Sequence, residues 1–363
     1  MSSLSIDSPQ FLRKNAKPGW LDRLAKRVVL DKLKGLEHGQ LTIVDDDLNL
    51  TFGNAHDDFP FTSTLRVKSP AFYSEVAFGG SIGAGEAYIQ DYWEASDPVA
   101  LGRILLRNRD VLDDVESGAA VLTRPLQKGF HWLHRNTRRG SRRNIAAHYD
   151  LGNDFYALWL DSRMMYSCAW YADSATTLET AAGAKLDRIC RRLRLGPGDR
   201  VVEIGTGWGG FAIHAARHYG CHVTTTTISR RQYELAQQRV AEEGLEDRIT
   251  LRLDDYRDLD GQFDKLVSIE MIEAVGHEYM DTYFRKCASL LKPGGEMLIQ
   301  AITIADQRYE KAKRSVDFIK RYVFPGGFLP SVTAMTSALT RETDLRAVYI
   351  EDIGLHYART LHD

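Results

Sequence analysis

Residues 199–216, DRVVEIGTGWGGFAIHAA, constrain the fold more than any other stretch of this chain. Val201, Val202 and Ile204 form a short β-branched run suited to a buried parallel strand. Glu203 sits just before the glycine cluster Gly205, Gly207, Gly209 and Gly210, after which Phe211, Ile213, Ala215 and Ala216 begin a helical pattern. Strand, Gly-rich turn and helix N-terminus together form a nucleotide-cofactor cradle. Glycines let backbone approach a ligand, and the first free N–H groups of the helix face it. The spacing is G-x-G-x-G-G, not the dinucleotide G-x-G-x-x-G. With the acidic residue ahead of it, that variant favours S-adenosylmethionine (SAM), whose amino-acid end carries both an ammonium and a carboxylate. A tight strand–helix turn with no ligand is the competing reading, because a glycine cluster alone is a weak signal.

The surrounding pattern agrees with a doubly wound, Rossmann-like α/β sheet. A helix near 177–195 precedes the first strand at 201–204. Further strands are expected at 222–227, 249–254, 266–269 and 296–302, with a possible sixth at 347–350, and helices at 229–243 and 279–291. The sheet domain spans 144–363. Ahead of it lie a smaller α+β domain, 1–117, and a basic linker, 118–143.

In the small domain, residues 20–34 place Leu21, Leu24, Ala25, Val28 and Leu33 on one helical face and Arg23, Lys26, Arg27, Lys32 and Lys34 on the other. A solvated helix packed on the domain and a basic amphipathic surface meeting anionic lipid are both open. Residues 40–52 read as a hairpin around Asp45-Asp46-Asp47, and helices are expected at 72–78, 86–93 and 99–111. The linker carries Arg124, Lys128, Arg135, Arg138, Arg139, Arg142 and Arg143 beside Phe130, Trp132 and Leu133, with no acidic residue. Contact with lipid phosphate at an unsaturated phospholipid bilayer is favoured for segment 124–143. A plain connector and a nucleic-acid contact are the alternatives. Nucleic acid is the weaker of these, since the 363-residue chain has a formal net charge of only -2.

The four cysteines form no C-x-x-C pair or metal-spaced cluster, and read as reduced thiols. No metal site is expected. No run approaches a membrane span or an export signal. A cytoplasmic protein peripherally associated with the inner membrane is the resulting expectation, with a homodimer left open.

In such a sheet, ligands sit over the carboxyl ends of the strands. Those ends supply Gly205–Gly209, then Thr226-Thr227 with Gln232 one turn on, then Asp254-Asp255-Tyr256, then Glu270 and Glu273 three apart, and finally Gln300-Ala301-Ile302. A carboxylate at a buried strand mouth is costly unless it has a partner or a task.

HYDLGNDFYALWLD (148–161), MYSCAWY (165–171), EIGTGWGG (203–210), EMIEAVGHEYMDTYF (270–284) and FIKRYVFPGG-x-LP (318–330) stand in the order found in the cyclopropane-fatty-acyl-phospholipid synthase family, and about residues 141–357 resemble it. The resemblance implies a SAM-dependent C-methyltransferase that acts on the cis double bond of a phospholipid acyl chain. A carbocation forms and is deprotonated by bound bicarbonate, closing a cyclopropane ring. It assigns SAM contacts to Tyr149, Tyr166, Ser167, Gly205, Gly207, Thr227 and Gln232, with Asp255 and Tyr256 at the adenine, and Glu203 ahead of the glycines is a further candidate for cofactor binding from its position alone. It assigns the bicarbonate site to Cys168, Glu273, Ile302 and Tyr357, with Gln300 where many bacterial members have His. Gln keeps a donor and an acceptor but cannot take a proton, so retuned bicarbonate binding is expected. Aromatic faces such as Tyr149, Trp170 or Tyr322 suit a developing cation. Cys168 lacks a paired base and reads as structural or as a backbone ligand rather than a nucleophile. His148 reads as positioning the loop over the cofactor, and His277 as a helix start.

The family continues through another helix to a last antiparallel strand, whereas this chain stops six residues past Tyr357, so a shortened C-terminus is expected. Rival readings are a methyl-branched or methylene lipid product, a methyltransferase for RNA or small molecules, and a shortened homologue that binds without turnover.

Overall fold

The computed structural model describes residues 19–46, 48–110, 136–137, 140–141 and 152–363. Tyr149, His148 and nearly all of the basic segment lie outside the described residues. Two compact units are present, one comprising Met1–Phe130 with Val316–Phe318, the other His131–Ser315 with Ile319–Asp363.

The first unit is α+β. Helix α1 (Trp20–Leu33) leads into β1 (Gln40–Asp45) and β2 (Leu48–Phe52), the expected hairpin, paired antiparallel from Leu41–Phe52 to Asp45–Leu48. Strand β3 (Thr62–Val67) lies parallel to β1 and antiparallel to β4 (Trp93–Ala95), giving the order β2-β1-β3-β4. Between β3 and β4 runs α2 (Ala71–Ile89), two helical segments that meet at non-helical backbone at Gly80 (φ 58°, ψ -137°), so two helices are present as expected, the second beginning ahead of residue 86. Glycine tolerates that backbone without Cβ strain, so the apolar run continues across the break. Helix α3 (Pro98–Arg107) opens on the expected cap, with Asp97 accepting from the Ala100 N–H and proline at the first position.

The core of this unit corrects the reading of α1. Its buried line is Ala25, Val29 and Leu33, one helical turn apart, whereas Leu21, Leu24 and Val28 are exposed. With apolar residues at more than half of the helix positions, the periodicity admits two faces, and packing against α2 selects the one with the small Ala25.

The second unit holds a five-stranded, all-parallel sheet of order β7-β6-β5-β8-β9: β5 (Arg200–Ile204), β6 (His222–Thr226), β7 (Ile249–Arg252), β8 (Phe263–Ile269) and β9 (Leu291–Gln300). The chain runs outward from β5 through β6 and β7 on one side and from β8 to β9 on the other, so the crevice above the β5 and β8 ends is the topological switch point. Helices α4 (Asn153–Ala157) and α5 (Leu178–Arg192) precede the sheet, and α6 (Gly210–Tyr219), α7 (Arg230–Glu242) and α8 (Met280–Leu290) alternate with its strands. Helices α9 (Asp306–Arg314), α10 (Val332–Glu342) and α11 (Gly354–His362) follow, with a π-helical turn at Ile319–Val323. Pro293-Gly294-Gly295 falls within β9 at a register shift, and the ladder proper pairs Lys265–Ile269 with Glu296–Gln300. Ile302 therefore stands just past the strand end.

Residues 347–350 are not a strand. Tyr349 and Glu351 are instead held by α5, through Arg192 (Nη2 to the Tyr349 hydroxyl, 2.8 Å) and an Arg188–Glu351 ion pair. Two apolar clusters flank the sheet. One joins α5 and α6 to Val201, Val223 and Val267, and the other joins α8 and α10 to Val202, Ile204 and Leu266. Leu266 on the interior strand β8 is fully buried. Leu266→Ala should cost about 2–5 kcal/mol of unfolding free energy; a denaturant midpoint unchanged from the parent would contradict this core.

Candidate active site

The glycine turn takes the conformation its sequence requires. Gly205, Gly207 and Gly209 all have positive φ (103°, 53° and 88°), the region closed to most side chains. The Gly205 and Thr206 N–H groups both donate to the Thr226 carbonyl (3.1 and 3.0 Å), fastening the turn to β6. A Cβ at Gly207 would meet nothing within 4 Å, so open space lies over this backbone. A Cβ at Gly210 would instead collide with Met165 Sδ at 2.4 Å, so this glycine serves close packing of α6. From α7, Arg239 donates to the carbonyls of Trp208 (3.0 Å) and Arg163 (2.9 Å), tying the turn to the segment that leads into residues 165–171.

Beneath the turn, Glu203 is buried and accepts from Thr225 Oγ1 (2.6 Å), which in turn meets Thr206 Oγ1 (2.7 Å). Burial pushes its carboxyl up to about 8. At the end of β6, Thr227 donates to Gln232 Oε1 (2.8 Å), fixing the buried amide at the start of α7. At the end of β7, Asp255 accepts from Arg257 Nε (2.8 Å) and Nη2 (2.7 Å), so both of its oxygens are engaged by that guanidinium. The Tyr256 ring packs edge-on to Tyr283, its hydroxyl buried without a hydrogen-bond partner among the described residues.

The second group of expected residues converges at the ends of β8 and β9. Glu270 adopts φ +46°, a strained conformation for a non-glycine residue that turns the chain sharply off β8. Its Oε1 accepts from the Cys168 N–H (2.8 Å) and from Gln300 Nε2 (2.8 Å), while Gln300 also donates to the Cys168 carbonyl (3.1 Å). Glu273, on the short turn Ile272–Ala274, accepts from the Ile302 N–H with Oε1. Its other oxygen, Oε2, is shut off from solvent and has no hydrogen-bond partner among the described residues. Burial, followed by the charge of Glu270, pushes the Glu273 carboxyl up to about 8. Tyr357, on α11, has its phenol raised first by burial and then by Glu270, so it stays protonated. Cys168 is buried and its thiol is pushed up to about 11, mainly by burial, which leaves it unreactive at neutral pH. Tyr166 stacks on Phe324 (6.4 Å between centroids) within an aromatic group including Tyr156 and Trp159. Trp170 is flanked by His356 and by the Arg188 guanidinium, 5.1 Å from its ring, whereas Tyr322 is exposed. His277 begins a short helical turn, as expected.

Lys185 is absent from the residues picked out by sequence. It is only 2% exposed and donates from Nζ to Ser167 Oγ (2.6 Å). Burial lowers it to about 8, against the opposing pull of Glu270, Asp161 and Glu203. The signal was available: Ala181, Lys185 and Ile189 lie one turn apart on the buried face of α5, so a charge occupies a core position. Among the described residues there is no group of His, Cys, Asp or Glu suited to a metal.

The Glu273 shift fixes the sign of a pH effect. Its carboxyl titrates near 8 in the folded chain and at 4.5 in the unfolded chain, so folding favours the protonated form. Its contribution to stability is complete below pH 4.5 and is lost as pH rises toward 8. Glu273→Gln should therefore flatten the fall in melting temperature between about pH 5 and pH 8. Parallel profiles for the variant and the parent would show that this carboxyl is not strained.

Residues 136–363 match the family described as mycolic acid cyclopropane synthetase. The chain is 40% identical over 312 residues to the tuberculostearic acid methyltransferase of Mycobacterium tuberculosis, covering 83% of this chain and 72% of that one. It is also 40% identical over 276 residues to the cyclopropane-fatty-acyl-phospholipid synthase of Escherichia coli, covering 74% and 67%. Its fold is similar to a solved cyclopropane synthase from M. tuberculosis (TM-score 0.57, 29% identity, 61% of this chain and 80% of that one). A mycolic acid cyclopropane synthase complexed with SAH and CTAB is equally similar (TM-score 0.56, 31% identity, 61% and 80%). A parallel sheet with a positive-φ glycine turn at its switch point, and a carboxylate cluster at the neighbouring strand ends, thus sits in a chain that belongs to the mycolic acid cyclopropane synthetase family, as a SAM-dependent methyltransferase.

Proposed function

We propose that the enzyme transfers the SAM methyl carbon to a cis double bond in an unsaturated phospholipid acyl chain and that the product is a cyclopropane. The observation that carries this reading is the enclosed pair Glu270 and Glu273, with Glu273 Oε2 unpaired among the described residues beside the Ile302 N–H. A buried carboxyl oxygen without a partner is costly unless a ligand or a proton meets it.

SAM would lie over Gly205 and Gly207, where open space fits its approach, with Thr227, Gln232, Asp255 and Tyr256 along the nucleoside and Tyr149, Tyr166 and Ser167 at the amino-acid end. Bound there, it supplies an electrophilic methyl group. An alkene is a poor nucleophile, so the protein's part is to hold the two reactants in line and keep water out. The Tyr166 group of aromatic rings offers faces to positive charge developing on the acyl carbon. Ring closure requires loss of one proton. Bicarbonate beside Glu273, Ile302, Cys168, Gln300 and Tyr357 is the proposed acceptor, its hydroxyl meeting Glu273 Oε2. The neighbouring donors fit it only in part, since the Cys168 N–H and the Gln300 amide are already engaged by Glu270.

That engagement favours a second reading, in which ring closure is bypassed: the cation loses a proton from the added methyl group to leave a methylene lipid, and a methyl-branched lipid would follow only by addition of hydride from a separate reduced cofactor. The similarity to a tuberculostearic acid methyltransferase points the same way.

Incubation with methyl-labelled SAM and vesicles of monounsaturated phospholipid, followed by mass spectrometry, tests the reaction. A gain of one methylene unit with loss of the double bond is expected, and ring methylene protons in NMR separate ring from branch. Label that never enters lipid while SAM still binds would overturn the reading. Glu273→Gln should suppress ring product far more than it weakens SAM binding; equal loss of both would remove Glu273 from the deprotonation step. Gly207→Val should weaken SAM binding by about tenfold or more in calorimetry, by occupying the approach and straining a positive φ, and an unchanged affinity would displace the cofactor from this turn.

A further inference from the structure

Lys185 is a buried cation for which the reaction as read above has no use. It lies on the inner face of α5, only 2% exposed, in line with Ala181 and Ile189. An ammonium in such a position is costly unless its protons and its charge are met. Burial lowers its pKa to about 8, against the pull of Glu270, Asp161, Cys168 and Glu203, so it keeps its proton at neutral pH. Yet among the described residues no carboxylate forms an ion pair with it. Its one hydrogen-bond partner there is the Ser167 hydroxyl, 2.6 Å from Nζ. A lysine kept only to neutralise buried acids gains most by sitting on one of them. This one sits on a neutral oxygen instead.

That contact fixes the polarity of Ser167. An ammonium has three donors and no acceptor, so Nζ donates and the Ser167 oxygen accepts. The hydroxyl's own proton must then point elsewhere, and no acceptor meets it among the described residues. Ser167 is itself buried, and a buried donor without an acceptor is unfavourable. Its backbone is fixed as well, because the N–H of the next residue, Cys168, donates to Glu270 (2.8 Å). A hydroxyl polarised by a cation, and unable to turn its proton back, is a strong donor whose best partner is an anion. Of the groups that SAM carries, the α-carboxylate of its amino-acid end is the anionic one.

We infer that Lys185 is a positioning residue for the cofactor, holding Ser167 as a hydrogen-bond donor to the SAM carboxylate. The inference rests on the reading that places Ser167 at the amino-acid end of SAM. It deepens that reading by naming the group recognised and the side chain that enforces the recognition. Lys185 acts through Ser167 and adds a through-space attraction to the same carboxylate.

Calorimetry on the full chain with two probes tests this. One is S-adenosylhomocysteine, with the complete amino-acid end. The other is its decarboxylated analogue, which keeps the thioether and the amine but lacks the carboxylate. The parent should prefer S-adenosylhomocysteine. Lys185→Met, similar in length, should weaken binding of S-adenosylhomocysteine about tenfold or more and leave the analogue within about twofold of the parent. Ser167→Ala should do the same, and the double variant should bind no more weakly than either single one, because the two side chains act as a unit. A folded Lys185→Met that keeps the full preference for S-adenosylhomocysteine would overturn the inference. So would equal weakening of both probes, which would leave Lys185 a packing residue. Should Lys185→Met fail to fold, Ser167→Ala decides, since an undiminished preference there refutes the hydroxyl's role. A parent that binds both probes equally would instead overturn the placement of the amino-acid end beside Ser167, so the two failures are distinguishable.

Discussion

Burial of Lys185 beside Ser167, within reach of Glu203, Glu270 and Asp161, is the constraint on which the sheet unit's working end depends. Each of these charges would be expensive alone in the interior. Together they offset one another, and the hydrogen bonds that complete the offset also set the architecture. Ser167 is held to α5 through Nζ, the Cys168 N–H to Glu270, and Gln300 to both. One polar network therefore ties helix α5, the 165–171 segment and the ends of β8 and β9 into a single piece. The strained backbone at Glu270 persists because those contacts over-determine it.

Much of the sheet unit was legible in its sequence. β-Branched runs such as Val201–Ile204 and Val223–Thr226 have few uses other than buried parallel strands, and the glycines after β5 announce a turn that only glycine can make. Val348 and Ile350 produce the same local signal without joining a strand. The difference is tertiary, since Arg188 and Arg192 on α5 capture Glu351 and Tyr349 from outside the window that a local reading sees. Propensity is a weak guide wherever such contacts compete.

The candidate site was legible by residue type but not by pairing. Sequence placed Glu273, Cys168, Gln300 and Ile302 near one another, yet the hydrogen bonds show the backbone donors engaged by carboxylates. Lys185 went unnoticed because a lysine in an amphipathic helix is assumed to face water, and only its position in line with Ala181 and Ile189 argues otherwise. On α1 the error ran the other way. Apolar residues outnumbered what one buried face can hold, and the surplus became a surface.

Helix α11 carries Tyr357 toward the carboxylates while its other side chains grip the preceding segment. Thr360 Oγ1 accepts from the Ala169 N–H (3.0 Å), His356 Nδ1 from the Tyr171 N–H (3.1 Å), and Arg359 reaches the carbonyls of Asp173, Ser174 and Thr176. Those two amides can exchange with solvent hydrogen only when the helix lifts away, so their protection measures how often the site comes apart. Tyr357 leaves in the same event that frees the segment carrying Ser167 and Cys168. Assembly of this half of the site is in that sense all-or-none, and its lifetime is set by contacts at the far end of the chain.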